Sequence, residues 1–268
     1  MKRTLRVALI ADLHCGHVSG LTPPSWQLRP AEPDGAMSGK RNKWVVLERV
    51  LWARYRSLVG RIGPVDLLVI VGDCIDGRGP KTGGTELIAT DRNQQVEMAA
   101  RCIEEWRTGK IVMVYGTDYH VGETENYEDV IADEVRADKI GAHEWVDVRG
   151  LILDVKHHVS SSSVPHTQGT AISRDALWNA IWAARQEQPQ ADMIVRAHVH
   201  SYFRFETAHW SGFTMPALQG MGCRFGQRRC SRTVDWGLVW MDVRGKHDYE
   251  FHPEIVRFEE QQAKAIKV

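Results

Sequence analysis

Val7-Ala8-Leu9-Ile10-Ala11-Asp12-Leu13-His14 is a short apolar run that stops abruptly in a carboxylate and an imidazole. An unbroken run of this length fits a strand covered on both faces, as in a parallel sheet flanked by helices. Its polar residues then fall at the C-terminal end of the strand, the edge where open α/β sheets bind ligands. The pattern recurs twice. Val65 to Val71 runs into Gly72-Asp73-Cys74-Ile75-Asp76-Gly77, and Ile111 to Tyr115 runs into Gly116-Thr117-Asp118-Tyr119-His120. Between the runs, Trp44, Leu47, Leu51 and Leu58 recur at helical spacing and predict a helix closed near Gly60-Gly63-Pro64. A second helix is expected from about Thr85 to Trp106, ahead of Gly109. Strand, helix and strand in alternation predict parallel βαβ units.

The second half reads differently. A helix is predicted over 126–138, a strand over 150–156 ending in His157-His158, and a helix over about 173–187. Met193-Ile194-Val195 predicts a strand leading into Ala197-His198-Val199-His200. Stretches 202–208, 212–217, 235–243 and 247–257 alternate and carry aromatic residues, which predicts antiparallel strands. No internal repeat or linker divides the 268 residues, so a single domain over 1–268 is expected, with long loops at about 16–43, 77–95 and 158–172 walling a cleft.

Composition excludes several classes. The chain carries 34 Lys+Arg against 34 Asp+Glu and has no apolar run of the ~18 residues a bilayer span needs. Met1-Lys2-Arg3 leads straight into a strand without a cleavage site, so no secretory signal is read there. The five cysteines include no CxxC pair, which fits reduced thiols and a cytoplasmic setting. No membrane partner is expected.

Each polar cluster alone is a weak signal. Together, five strand ends supply Asp12 and His14, Asp73 and Asp76, Asp118 and His120, His157 and His158, and His198 and His200. Carboxylates mixed with imidazoles suit Mn, Fe or Zn better than Ca, which prefers an all-oxygen shell. The candidates outnumber what one ion needs, and a pair of ions sharing one carboxylate would use about seven.

In order and strand context, these blocks resemble the calcineurin-like metallophosphoesterases, whose signature is Asp-x-His, Gly-Asp-x-x-Asp, Gly-Asn-His, a separate His, and Gly-His-x-His. The likeness spans residues 7–200, about three quarters of the chain. It implies a four-layer α/β/β/α sandwich of two mixed β-sheets flanked by helices, holding two divalent metal ions, with Mn favoured. On this resemblance Asp12, His14 and His200 hold one ion, Asp73 is shared, and His157 and His198 hold the other. Two blocks depart from the family. Thr117 stands where the family has its Asn ligand, and Asp118 is the expected replacement, with Thr117 the alternative. The imidazole after it, His120, is displaced by two positions; the Gly-Thr-x-x-His spacing looks like a variant of phage and bacterial members. Ala197 replaces a Gly.

The implied chemistry is hydrolysis of a phosphoric ester by a hydroxide shared between the ions. His120 acts as general acid and Asp76 orients it through a hydrogen bond. A phosphodiester, nucleotide or nucleic-acid substrate is expected. Arg78 is a candidate phosphate contact, displaced from the family position by Gly77. His17 is expected to bond substrate or to stabilise its loop, and His158 to face substrate or fill the shell. Ser160–Ser163 and the cluster Arg224, Arg228, Arg229 and Arg232, near Phe225 and Trp236, read either as phosphate or nucleic-acid contacts or as solvated surface. Trp44, Trp52, Trp178 and Trp182 are expected to pack helices onto sheets, and Cys15 and Cys74 to be small packing residues. Two rival readings remain: a non-catalytic scaffold of this fold that binds partner proteins, and a nuclease subunit of a DNA-processing assembly.

Overall fold

The structure, a computed structural model, describes residues 3–30, 38–79, 83–122, 125–160, 164–221, 233–259 and 265–266. Eleven strands form two sheets. The first contains β1 (Leu5–Ile10), β2 (Leu67–Val71), β3 (Ile111–Val114), β4 (Lys139–Gly141), β10 (Trp236–Gly245) and β11 (Asp248–Val256), in the order β11-β10-β1-β2-β3-β4. The second contains β5 (Glu144–Val148), β6 (Leu151–Val155), β7 (Met193–Arg196), β8 (Phe203–Glu206) and β9 (Ser211–Thr214), in the order β5-β6-β7-β9-β8. β1 to β4 run parallel, and β10 and β11 add antiparallel at the β1 edge. In the second sheet β6, β7 and β9 are parallel, with β5 and β8 antiparallel at the edges.

The period-2 alternation of each strand separates the layers. Val7, Leu9 and Ala11 join Val69, Val71, Leu153, Val155, Met193, Val195 and Phe213 in an apolar layer between the sheets. Ala8, Ile10, Leu68, Ile70 and Met113 face the other way, onto α1 (Ser38–Ile62), α2 (Arg92–Ile103) and α4 (Tyr127–Glu134), through Leu47, Leu51, Tyr55, Val96, Cys102 and Ile131. On the far side, Ile194 meets Ile172 and Ala176 of α5 (Gln168–Ala184). The layers therefore run helix, sheet, sheet, helix, and both sheets are mixed. No helix of the described residues is long and apolar enough to cross a membrane.

Several boundaries differ from expectation for local reasons. The helix expected from Thr85 starts at Arg92, because the Asp91 side chain caps it by accepting from the Asn93 N–H at 2.9 Å. The helix expected over 126–138 ends at Glu134, and Lys139–Gly141 instead pairs with β3. Trp52 packs as expected, but Trp178 is 54 % exposed on the outer face of α5.

Candidate metal centre

Past the strand ends, the two polar clusters of the first sheet stay laced together by backbone hydrogen bonds. The N–H groups of Asp12, His14 and Cys15 donate to the carbonyls of Gly72, Asp73 and Cys74, each at 3.0 Å. Asp76 N–H returns a bond to Cys15 O, also at 3.0 Å. Within the second sheet Ala197 N–H donates to His157 O at 2.8 Å, and Gln219 N–H, past β9, ties that sheet to Asp12 O at 2.9 Å. Loops from five strands thus converge on one spot.

Two features mark that spot as unusual. Eight described non-glycine residues have positive φ, and five of them are Asp12, His14, Asp73, His198 and His200, with φ between 46° and 70°. Left-handed backbone costs on the order of 1 kcal/mol at each such residue and collects at functional sites. The second feature is that Asp12 Oδ1 and His157 Nε2 are buried and make no well-aligned hydrogen bond, only ion-pair contacts with His200 and Asp73 at 3.2 and 3.0 Å. Desolvated polar atoms left without a hydrogen bond cost about 1–3 kcal/mol each.

Imidazole nitrogens and carboxylate oxygens crowd together here. His14 Nε2 and His200 Nε2 lie 3.2 Å apart, and Asp12 Oδ1 lies 3.2 Å from His200 Nε2 and 3.8 Å from His14 Nε2. On the other side Asp73 Oδ2 lies 3.0 Å from His157 Nε2 and 4.0 Å from His14 Nε2, between the two sets of imidazoles. Among the described residues, three groups have ligand atoms close enough to hold a metal ion: Asp12, His14 and His200; Asp73, His157 and His198; and His14, Asp76 and His120. Mixed carboxylate and imidazole donors, buried or half-buried and clustered in this way, fit divalent Mn, Fe or Zn.

Electrostatics point the same way. Burial opposes ionisation of Asp12, yet His200 and His14 outweigh it and hold the carboxyl well below the usual carboxylate range. Asp73 is likewise held low against burial, chiefly by His157. His14 is pushed up to about 10, against burial, by Asp12 and Asp76, and His157 up to about 9 by Asp73. His198 is pushed down to about 4 by burial and by His157. In the chain alone, protons on imidazoles balance the carboxylates; a divalent cation would compete for the same sites.

The remaining expected residues fall out as follows. Asp76 meets His120 mainly through its backbone: the Asp76 carbonyl lies 2.9 Å from His120 Nδ1, while carboxylate Oδ1 pairs with His14 Nδ1 at 3.0 Å and lies 3.7 Å from His120 Nδ1. His120 sits in the four-residue helix α3 (Asp118–Val121), its ring centroid 4.5 Å from that of His14. Asp118 is exposed at the start of α3 and belongs to none of the three groups. Its neighbour Thr117 instead donates to Asp73 Oδ1 from N–H at 2.7 Å and from Oγ1 at 3.1 Å. His17 is 3 % exposed, its Nδ1 accepting from Ser19 N–H at 3.1 Å, which ties its own loop. His158 is exposed, tilted against His198 at a centroid distance of 5.1 Å, and Arg78 is exposed. Cys15 and Cys74 are buried thiols. Ser161–Ser163 and Arg224–Arg232 lie outside the described residues.

Sequence reasoning missed Glu128 and Gln95. Gln95 is fully buried in α2 and clamps Gly77 by accepting from its N–H and donating to its carbonyl, both at 2.8 Å. Glu128 holds two backbone N–H groups of the metal loops. The available signal was its place on the apolar face of α4, three and four residues before the buried Ile131 and Ala132.

No protein-family model matches the sequence, and neither does any curated protein. Among solved structures, Vps29 from Chaetomium thermophilum aligns with 94 % of this chain and 97 % of its own, at 11 % identity and a TM-score of 0.49. An archaeal phosphodiesterase aligns with 93 % and 100 % at 10 % identity and TM-score 0.45. A predicted phosphoesterase from Streptococcus pneumoniae aligns with 95 % and 100 % at 8 % identity and TM-score 0.39. At such identities and TM-scores, no activity transfers from any of them; the chemistry of this chain is argued from its own site.

Proposed function

We infer that the chain is a metal-dependent phosphoric ester hydrolase, acting on a phosphodiester, nucleotide or nucleic-acid substrate. The observation that supports the reading is the convergence of buried carboxylate oxygens and imidazole nitrogens within 3.0–4.0 Å of one another, set among residues of left-handed backbone. Asp12, His14 and His200 would hold one divalent cation, His157 and His198 a second, and Asp73 would be shared between them. Manganese is the favoured ion. Two cations would supply Lewis acidity toward water and toward phosphoryl oxygens.

The chain's own groups do the rest. Thr117 fixes the Asp73 carboxylate, from N–H to Oδ1 at 2.7 Å and from Oγ1 to Oδ1 and Oδ2 at 3.1 and 3.3 Å. Thr117, not Asp118, therefore occupies the place beside the shared carboxylate. Asp76 fixes the ring of His14 through Nδ1, so that Nε2 is the ligating nitrogen. With His120 Nδ1 donating to the Asp76 carbonyl, Nε2 is the nitrogen left to pass a proton to the departing alkoxide. Arg78 and His158, both exposed, are the candidate substrate contacts; His17 acts on its loop.

A partner-binding scaffold is the second reading. One observation favours it: Leu177, Trp178 and Ile181 are 61 %, 54 % and 40 % exposed on one face of α5. Metal-loaded protein assayed on nitrophenyl mono- and bis-esters, cyclic nucleotides and DNA separates the readings. Turnover that disappears in Asp12→Ala and Asp73→Ala supports the hydrolase. No turnover with Mn, Fe or Zn, or undiminished turnover in Asp73→Ala, overturns it.

A further inference from the structure

Glu128 is the second residue of α4 and is 0 % exposed. Among the described residues it forms no ion pair with Lys or Arg, although burying a lone carboxylate is costly. Both of its oxygens go to backbone. Oε1 accepts from Cys74 N–H at 2.9 Å, and Oε2 accepts from Gly116 N–H at 2.6 Å. Cys74 follows Asp73, and Gly116 precedes Thr117, whose N–H and hydroxyl hold Asp73 Oδ1.

One side chain from outside both loops therefore fixes the spacing between them. That spacing has almost no slack. A Cβ at Gly72 would lie 2.7 Å from Gly116 Cα, and one at Gly116 would lie 2.2 Å from Asp73 Oδ1. Asn126 sets the start of α4, accepting from Glu128 N–H at 3.0 Å, so the carboxylate is delivered by a capped helix. Two convergent N–H groups require two acceptors. A Gln at this position offers one, and turns an NH2 toward the other N–H.

We propose that Glu128 is a positioning residue for the Asp73, His157 and His198 cation site: it holds the Asp73 and Thr117 loops at the separation that keeps Asp73 within 3.0 Å of His157, the contact particular to that half of the centre. This rests on the metal-binding reading above. It assigns to the outer helix layer a control over one half of the centre, while Asp12 in the other half has a further backbone tie of its own, from Gln219 N–H at 2.9 Å.

The test is Mn2+ titration of the full chain, following free Mn2+ by electron paramagnetic resonance, with melting temperature recorded in parallel. Wild type is expected to bind two ions. Glu128→Gln is expected to weaken one of them by about tenfold or more, the usual range for groups that orient a ligand, and to leave the other within about twofold. The weakened ion should be the one His198→Ala removes, so the double variant loses no more than His198→Ala alone. Glu48→Gln, the same exchange at a buried carboxylate of α1 remote from the loops, should bind as wild type does. Should Glu128→Gln not fold, Asn126→Ala, which frays the start of α4, must show the same selective weakening. Wild-type affinities in Glu128→Gln, equal weakening of both ions, or an unaffected Asn126→Ala would overturn the proposal and leave the metal reading standing. A wild type that takes up no Mn2+ overturns the metal reading itself.

Discussion

Thermal unfolding with and without Mn2+ gives a quantitative consequence of the two ligand groups. A globular chain has an unfolding entropy of about 2.1 cal/mol/K per residue near 60 °C, or roughly 0.56 kcal/mol/K for a chain this size. A cation at one hundred times its dissociation constant stabilises the fold by about 2.7 kcal/mol per site. Each ion then raises the melting temperature by about 5 °C and two raise it by about 10 °C. His200→Ala removes a donor from the Asp12 group and His198→Ala one from the Asp73 group. Both side chains are only half-buried, so truncation leaves no large cavity to confuse the result. Each variant should keep about half of the Mn2+-induced shift, measured by calorimetry against the same protein treated with chelator. No shift in wild type, or a full shift in both variants, refutes the reasoning.

Other consequences concern the groups around the centre. Gly116→Ala places a Cβ 2.2 Å from Asp73 Oδ1, so it should cost about 1–3 kcal/mol and release the ion at Asp73; unchanged metal content measured by mass spectrometry would argue against that close approach. Burial raises the Glu48 carboxyl to about 7, with Oε1 unpartnered and Oε2 accepting from Leu28 N–H. Its folded pKa lies above the unfolded value of about 4.3, so its contribution is complete below that value and is lost as pH rises through about 7. Glu48→Gln should recover up to about 3 kcal/mol at pH 8 relative to pH 4, read from urea unfolding; an unchanged pH slope would contradict it. Arg196 is 2 % exposed and donates to Asp154 Oδ1 and Asp175 Oδ2, each at 2.7 Å. Arg196→Ala breaks the buried pair and leaves Asp154 to His143 and Asn179 and Asp175 to Lys156 and Arg174, and should cost about 3 kcal/mol; a loss below about 1 kcal/mol in denaturant titration would contradict it.

The strands that carry the site were the most legible part of the sequence. Val7–Ala11 and Val65–Val71 read as buried strands because both faces of β1 and β2 are covered, by helices on one side and the second sheet on the other. β4 and β5 escaped notice. Lys139–Gly141 is too short to show a period, and Glu144–Val148 is an edge strand with two acidic residues in five. The donors Asp12, His14, Asp73, His157, His198 and His200 were legible as strand-end residues, since strand direction alone delivers them to one edge. What holds them was not. The Asp76 carboxylate lies closer to His14 than to His120, and Thr117 reaches Asp73 while Asp118 faces solvent, because α3 begins between them. A residue's neighbour in sequence says nothing of which one a helix start turns inward. Trp178 also misled: its helical spacing matched a packed face, but α5 meets the sheet through Ile172 and Ala176.

Anomalous diffraction at the manganese edge from Mn2+-soaked crystals tests the central claim most directly. The account predicts two peaks about 3.5–4 Å apart. One should lie among Asp12, His14 and His200 and the other among Asp73, His157 and His198, with Asp73 touching both. Density at neither group, or a lone ion held by His14, Asp76 and His120, would contradict it.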